Sequence, residues 1–342
     1  MSLPVKGTLL LQEDLHSLRK AARIINNGGL VAFPTETVYG LGAAATDPAA
    51  VARIFKAKGR PVDNPLIVHL SDPGQIETVA GAIPGKAFKL TERFWPGPLS
   101  LVLPRAKTIP ALVSAGLPSV AVRMPDHHIA LELIRLSGVP IAAPSANRSG
   151  RPSPTTYRHV LEDLTGRIEA VIKSAPCTVG VESTVLDLTR DRPVILRPGG
   201  VSREELEEVL GRPVDMAGKP EANGKPLSPG MKYRHYSPRA KLILVTGYAP
   251  GRCQLLKILA ARYRARGLNV GYLSPALQGS YKPGVDPERL AATLYDSMRR
   301  MDQEGVDIIL AEEIDVSGIG LAVMNRLKKA AARILRVNPG KA

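Results

Sequence analysis

Cysteine is nearly absent from these 342 residues: there are two, Cys177 and Cys253. They lie far apart and in no CxxC or Cys/His ligand spacing, which supports neither a disulfide framework nor a protein-held metal site. Each reads as a small buried apolar residue. Aromatic residues make up only 4% of the chain, too few to furnish the rows of stacking platforms that single-strand binders use. No window comes near the roughly 18 uncharged apolar residues of a membrane helix. The stretch MSLPVKGTLLLQEDLH turns acidic at Glu13 and Asp14, which breaks the order of a secretory signal, so the chain is expected to be cytoplasmic with no membrane partner.

Familiar catalytic signatures are missing too. The nearest approach to a Walker A loop, GAIPGK at residues 81–86, is followed by alanine where a serine or threonine would hold the metal. There is no GxSxG elbow and no HExxH, and neither cysteine has a histidine neighbour, so a covalent enzyme nucleophile is not supported. What remains is chemistry done by positioning and charge neutralisation, as in phosphoryl and nucleotidyl transfer.

Positive charge is there in quantity. The formal net charge is +15 and the pI near 9.9, pointing to a polyanionic partner, nucleic acid or a phosphorylated small molecule. Residues 1–238 hold 29 basic and 22 acidic side chains and residues 239–342 hold 17 and 9, so the excess is denser at the C-terminal end. The length favours two domains. Between Gly211 and Arg239 the stretch GRPVDMAGKPEANGKPLSPGMKYRHYSPR loses any apolar period and reads as a linker.

Before the linker, apolar runs alternate with amphipathic ones. Strands are expected at Gly29 to Phe33, Pro65 to Leu70, Leu99 to Leu103 and Val120 to Met124, then at Val139 to Ala143, Ala170 to Lys173, Val181 to Leu188 and Val194 to Arg197. Asp47 and Pro48 open a helix that Gly59 closes, and Ser202 with Glu205 forms a capping box. Some strands are too close for helical crossovers, so the sheet is expected to be mixed. After the linker three strand–helix units follow, the last helix read as AVMNRLKKAAARIL, implying a small Rossmann-like parallel sheet. The expected organisation is a catalytic α/β domain over 1–211, a Pro/Gly-rich linker over 212–238 that can act as a lid, and a Rossmann-like domain over 239–342.

Four places in the first part put polar residues at the ends of buried strands. LVAFPTETVYGLG passes from an apolar run into Thr35, Glu36, Thr37 and Tyr39. KAKGRPVDNPLIVHL offers Lys56, Lys58 and Arg60 at a helix end, then Asn64, then His69 on a strand face shared with Ile67. IAAPSANRSGRPSP runs from Ala143 into Ser145, Asn147, Arg148, Ser149 and Arg151, with Ser153 and Pro154 expected to open another helix. VGVESTVLDL interrupts a strand with Glu182, Ser183 and Thr184 and is followed by ILRPGG with Arg197. Each alone has a structural explanation, such as cations on a helix dipole or a serine cap. Together they describe strand ends converging on a polar cavity, with Lys58, Arg60, Arg123 and Arg197 as cations.

These blocks, with FWPGPLSLVL, VAVRMPDH and SPGMKYRHYSP, closely resemble the YrdC-like family in its two-domain form, over nearly the whole chain. The resemblance implies a YrdC-like mixed-sheet α/β catalytic domain followed by a small Rossmann-like parallel α/β domain. It implies formation of threonylcarbamoyl-AMP and pyrophosphate from L-threonine, bicarbonate and ATP, with Mg²⁺ accompanying ATP. The product would pass to a tRNA threonylcarbamoyl transferase. Carried over by motif, the catalytic set falls on Lys58, Arg60, Ser145 and Asn147. Threonine-binding positions fall on Thr37, His69, Arg123 and Ser183, and ATP-binding positions on Arg60, Asn64, Ala143, Ser145, Ser153, Arg197 and Tyr236. Thr35, Glu36 and Tyr39 are expected to shape their loop, and Lys232, Arg234 and Tyr236 to form a mobile cover over unstable intermediates.

Two other readings compete. The charge and the MKYRHY run allow a non-catalytic RNA-binding module, or weak RNA binding beside catalysis. A YrdC-like carbamoyltransferase of hydrogenase maturation would need zinc-finger cysteines, which two cysteines cannot supply.

Overall fold

The computed structural model describes residues 7–218, 236–274 and 286–338. These divide into two compact units, residues 7–149 with 153–218, and residues 150–152 with 236–274 and 286–338. The heart of the expected cover, including Lys232 and Arg234, lies outside the described residues.

The first unit runs β1 (Leu9–Leu11), α1 (Leu15–Asn26), β2 (Val31–Phe33), β3 (Gly40–Ala44), α2 (Pro48–Lys58), β4 (Ile67–His69), α3 (Ile76–Val79), α4 (Gly85–Phe94), β5 (Leu99–Pro104) and β6 (Ser119–Arg123). It continues through α5 (His128–Ser137), β7 (Ile141–Ala143), α6 (Tyr157–Leu164), β8 (Ala170–Ile172), β9 (Thr184–Asp187), β10 (Val194–Arg197), α7 (Arg203–Leu210) and β11 (Asp215–Met216). All eleven strands join one mixed sheet in the order β1-β8-β2-β3-β7-β4-β6-β5-β9-β10-β11.

Punctuation legible in the sequence fixes two helices. Asp47 accepts from the amides of Ala49 and Ala50 to start α2, and Gly59 ends it at φ 62°, a left-handed conformation that glycine adopts without a Cβ penalty. The capping box of Ser202 and Glu205 opens α7. Other expectations need correction. The helix after Ser153 begins only at Tyr157, with Thr156 as its cap. GLGAA is not among the expected strands yet forms β3, where its glycines let neighbouring side chains pack close to the backbone. At Gly42 a Cβ would stand 2.7 Å from Ile141 Cγ2 and 2.8 Å from Phe33 Cε1. The sheet of the first unit also runs past Gly211, since β11 pairs in parallel with β10.

The strand register decides what shares a side of the sheet. His69 lies opposite both Arg123 and Ile141, and Ile67 opposite both Ala121 and Ala143. Further along, Ala121 faces Val102, Ser100 faces Val185, and Val185 faces Arg197. Opposed residues point the same way and alternate along each strand. Ala143, His69, Arg123, Ser100 and Arg197 therefore project from one face. Helices α1 and α5 cover part of that face, burying Phe33, Ala44 and Ile141 against Ile25 and Leu133. Beside them lies a smaller apolar floor of Ile67, Val102, Ala121, Val185 and Leu196. The opposite face carries the main core, where Val68, Leu101, Val122 and Ala142 meet Ile54 of α2, Leu90 of α4 and Leu206 of α7.

The second unit contains β12 (Lys241–Gly247), α8 (Ala249–Arg264), β13 (Val270–Leu273), α9 (Pro287–Gln303), β14 (Ile308–Glu312), α10 (Gly320–Ala330) and β15 (Arg333–Val337). Its four strands are parallel, in the order β13-β14-β12-β15. The last helix stops at Ala330, short of the expected Leu335, because Arg333–Val337 pairs with Ile243–Gly247. Tyr236 packs in this unit. Its ring stacks on Tyr295 with centroids 5.5 Å apart, and the Arg326 guanidinium lies 5.3 Å from its centroid. Among the described residues no helix is long and apolar enough to cross a membrane.

Candidate active site

The loop that follows β2 is folded by its own hydroxyls. Thr35 Oγ1 accepts from the amides of Thr37 and Val38, both at 3.2 Å, and donates to the Val38 carbonyl at 2.6 Å. This turn delivers Glu36 and Thr37 to Arg123 at the end of β6. Arg123 is only 4% exposed. Its Nη1 donates to Thr37 Oγ1 at 2.9 Å and its Nε to the Gly97 carbonyl at 3.1 Å. Its Nη2 lies 2.5 Å from Glu36 Oε1. That contact is one of charge alone, since neither Glu36 oxygen nor Arg123 Nη2 has an aligned hydrogen bond.

His69, beside Arg123 on β4, is buried. Loss of water around the ring, reinforced by the Arg123 charge, pushes its pKa down to about 3, so the imidazole is neutral near pH 7. The neutral ring donates from Nδ1 to the Ile67 carbonyl, 3.2 Å away, because a carbonyl can only accept. On the far side of Arg123 the hydroxyls of Ser100 and Ser183 meet at 2.8 Å. Arg197 wraps the same serine, with Nη2 2.9 Å from its carbonyl and 3.2 Å from its hydroxyl.

A second cluster forms where α2 ends. Lys58 Nζ is buried and donates to the carbonyls of Ser145 and Asn147. It also lies 3.4 Å from Asn147 Oδ1, which accepts from Ser145 Oγ at 2.6 Å. Lys58, expected as a cation of the cavity, thus engages the loop that carries Ser145 and Asn147. Arg60 braces the next turn, donating to the carbonyls of Asn64 at 3.1 Å and Pro65 at 2.8 Å. The Asn64 side chain is 1% exposed, yet neither its oxygen nor its nitrogen has a partner. Buried amides are normally paired, so among the described residues this one stands out as an amide free to bond a ligand or water. Ser153, not a helix cap, donates to Glu182 Oε1 at 2.6 Å.

The sequence suggested strand ends converging on one polar cavity, and the strand register sets the residues at two positions a short way apart. Ala143, opposite Ile67, lies toward the start of β4, whereas His69 and Arg123 lie at its other end. The two positions are about 7 Å apart along the strand. The 34–39 loop ties them together. Thr37 meets Arg123, while Tyr39 donates its amide to the Pro154 carbonyl and accepts from the Ala146 amide, both at 2.8 Å. Of the expected positions Thr37, His69, Arg123, Ser183 and Arg197 gather at one end, and Lys58, Ser145 and Asn147 at the other, with Arg60 and Asn64 following α2. Tyr236 packs within the second unit.

Glu36, Ser100 and Glu182 were not expected as site residues. Glu36 and Glu182 read as polar interruptions without a binding role, whereas Ser100 sits in a stretch that reads as plain strand, and its polarity was the available signal. Among the described residues no group of three His, Cys, Asp or Glu side chains gathers to hold a metal.

The Sua5/YciO/YrdC profile, described as telomere recombination, matches residues 23–199. The chain belongs to the Sua5/YciO/YrdC family. A second profile, described as the C-terminal domain of threonylcarbamoyl-AMP synthase, matches residues 201–332. A threonylcarbamoyl-AMP synthase of Pyrococcus abyssi is 50% identical over 331 residues, covering 94% of this chain and 96% of the relative. One of Bacillus subtilis is 49% identical over 331 residues, covering 93% and 94%. The crystal structure of Pyrococcus abyssi Sua5 complexed with L-threonine superposes with a TM-score of 0.91 at 48% identity, covering 97% of this chain and all of that one. The YrdC-like mixed-sheet unit and the Rossmann-like second unit are thus the architecture of this family's two-domain members.

Proposed function

We propose that this chain forms threonylcarbamoyl-AMP and pyrophosphate from L-threonine, bicarbonate and ATP. The observation that carries the reading is the pair of clusters on the first unit, joined by the 34–39 loop. One is built around a buried arginine with hydroxyls beside it, the other around a clamped loop and an unpaired amide. An amino acid needs the first kind of site and a nucleotide the second.

In this reading Arg123 takes the carboxylate of threonine through paired charge-assisted hydrogen bonds, while Thr37 and Ser183 orient the substrate's polar groups and neutral His69 closes the wall. The amine attacks bicarbonate to give a carbamate and water, and a carbamate oxygen attacks the α-phosphorus of ATP as pyrophosphate leaves. No enzyme nucleophile is needed. Arg60, the Asn64 amide, Ser145, Asn147 and Ser153, with the backbone of Ala143, orient the nucleotide, and Lys58 holds their loop rigid. Arg197 supplies positive charge beside Ser183, where negative charge develops. Mg²⁺ enters with the triphosphate. The product passes to a tRNA-modifying transferase, weak RNA contact is a further property of the basic surface, and the setting is the cytoplasm.

The reading is tested by isotope. With ¹³C-bicarbonate, threonine and ATP, an AMP-linked product should form that carries the label and the threonine mass. AMP formation without a labelled threonine adduct would contradict it.

A further inference from the structure

We propose that Glu36 is a catalytic residue that binds the α-ammonium group of the amino-acid substrate and accepts its proton, releasing the amine that attacks bicarbonate. The inference rests on the reading above and deepens it, because that reading leaves the proton of the amine without a destination.

The chemistry requires such a group. An α-ammonium with a pKa of about 8 or higher is mostly protonated at pH 7, and a protonated amine has no lone pair. The transfer balances simply: the ammonium gives one proton to the Glu36 carboxylate, leaving a neutral amine and a neutral acid. The amine then adds to bicarbonate, giving the carbamate and one water, and Glu36 returns its proton to solvent as products leave.

The geometry points to Glu36 for three reasons. It is 7% exposed, yet among the described residues neither carboxylate oxygen makes an aligned hydrogen bond, an unusual state for a buried acid. Among the described residues its ion pair is with Arg123, whose Nη2 lies 2.5 Å from Oε1. An amino acid carries its ammonium and carboxylate on one carbon, so a carboxylate docked on Arg123 brings the ammonium to the groups that touch Arg123. The zwitterion can then replace each member of the resting pair with its own opposite charge, leaving neither buried group unpaired.

The other titratable groups facing this spot suit the role less well. His69, on β4 beside Arg123, is kept neutral by burial and that arginine's charge, so it offers an ammonium no opposite charge, and its Nδ1 is already engaged with the Ile67 carbonyl. Cys177 faces Glu36 from the segment before β9, and burial pushes its thiol up to about 12, so it is already protonated. His127, at the start of α5, feels the Glu36 charge but sits below its usual pKa through burial and the neighbouring His128. Its Nδ1 is occupied by the Ile129 amide at 3.2 Å.

The experiment measures threonine-dependent pyrophosphate release by the full chain between pH 6.5 and 9.5, at saturating ATP and bicarbonate. Glu36→Gln keeps the shape and removes the base. Its kcat/KM for threonine should fall about 100-fold at pH 7, the lower range for a lost general base. The variant-to-wild-type ratio should then climb about tenfold per pH unit as free amine becomes available. A ratio flat with pH would overturn the proposal, since a carboxylate that merely balances Arg123 gives a loss that pH does not repair. Binding to the wild-type protein provides a check that needs no variant. The analogue with a hydroxyl in place of the α-amino group should bind at least about tenfold more weakly than L-threonine, the effect of one charge-assisted hydrogen bond. Equal binding would overturn the proposal. Absence of threonine-dependent release in the wild type would instead remove the reading on which it rests.

Discussion

Arg123 combines a buried guanidinium with a place in a hydrogen-bonded cluster, and the two roles separate on substitution. Arg123→Lys keeps the charge near Glu36 but loses the planar fork that pairs with a carboxylate. Steady-state kinetics should show KM for threonine rising about 10- to 100-fold and KM for ATP changing by less than about threefold. Equal losses for both substrates would place the carboxylate elsewhere. Lys58 is the counterpart at the other cluster. Lys58→Met leaves the carbonyls of Ser145 and Asn147 without their donor, at a cost of about 1–3 kcal/mol. The variant should melt several degrees lower and bind ATP more weakly, with threonine binding little changed. His69 gives a pH signature. Its folded pKa near 3 lies below the unfolded value of about 6.5, so the unfolded chain binds the proton more readily and stability falls as pH drops through that window. At pH 5 the His69 contribution to this loss is about 2 kcal/mol. His69→Gln should therefore show a shallower decline of melting temperature between pH 6.5 and 4 than the wild type, and parallel declines would contradict the assignment.

At the scale of elements, the end of β10 depends on one glycine. A Cβ at Gly199 would stand 2.2 Å from the backbone of Ser183 and Thr184, so Gly199→Ala must push apart the chain that carries Ser183. Overpacking of this kind costs about 1–3 kcal/mol, and the variant should lose both melting temperature and threonine affinity, as calorimetry would register. Strand β11 predicts where the first unit can be cut. A fragment ending at residue 218 keeps the β10–β11 pairing and should unfold more cooperatively than one ending at Gly211. These elements also show what the sequence could and could not reveal. Caps and glycines are local signals, so α2 and α7 were legible to within a residue. β3 was not, because Gly40 and Gly42 answer to Phe33 and Ile141 on other strands. β15 was hidden by a helix-like AAARIL pattern that pairing with β12 overrides. The residue types of the two clusters were legible in the motifs, and the resemblance to a family supplied the roles expected of them. Their division between two ends of β4 was not legible, since it follows from register, which long-range pairing sets. The contact of Glu36 with Arg123 was not legible either, because the two are 87 positions apart in the chain.

For the whole molecule, each unit has a core of its own. The first unit carries both side-chain clusters on a sheet whose opposite face is packed by helices, so the clusters rest on a packed base. The second has its own core around Val245, Leu256 and Leu310. The most direct test of the account is pyrophosphate release by the full chain, with threonine, bicarbonate or ATP omitted in turn. Release should require all three together. Release that proceeds unchanged without threonine would contradict the assignment of the Arg123 cluster, and with it the proposed reaction.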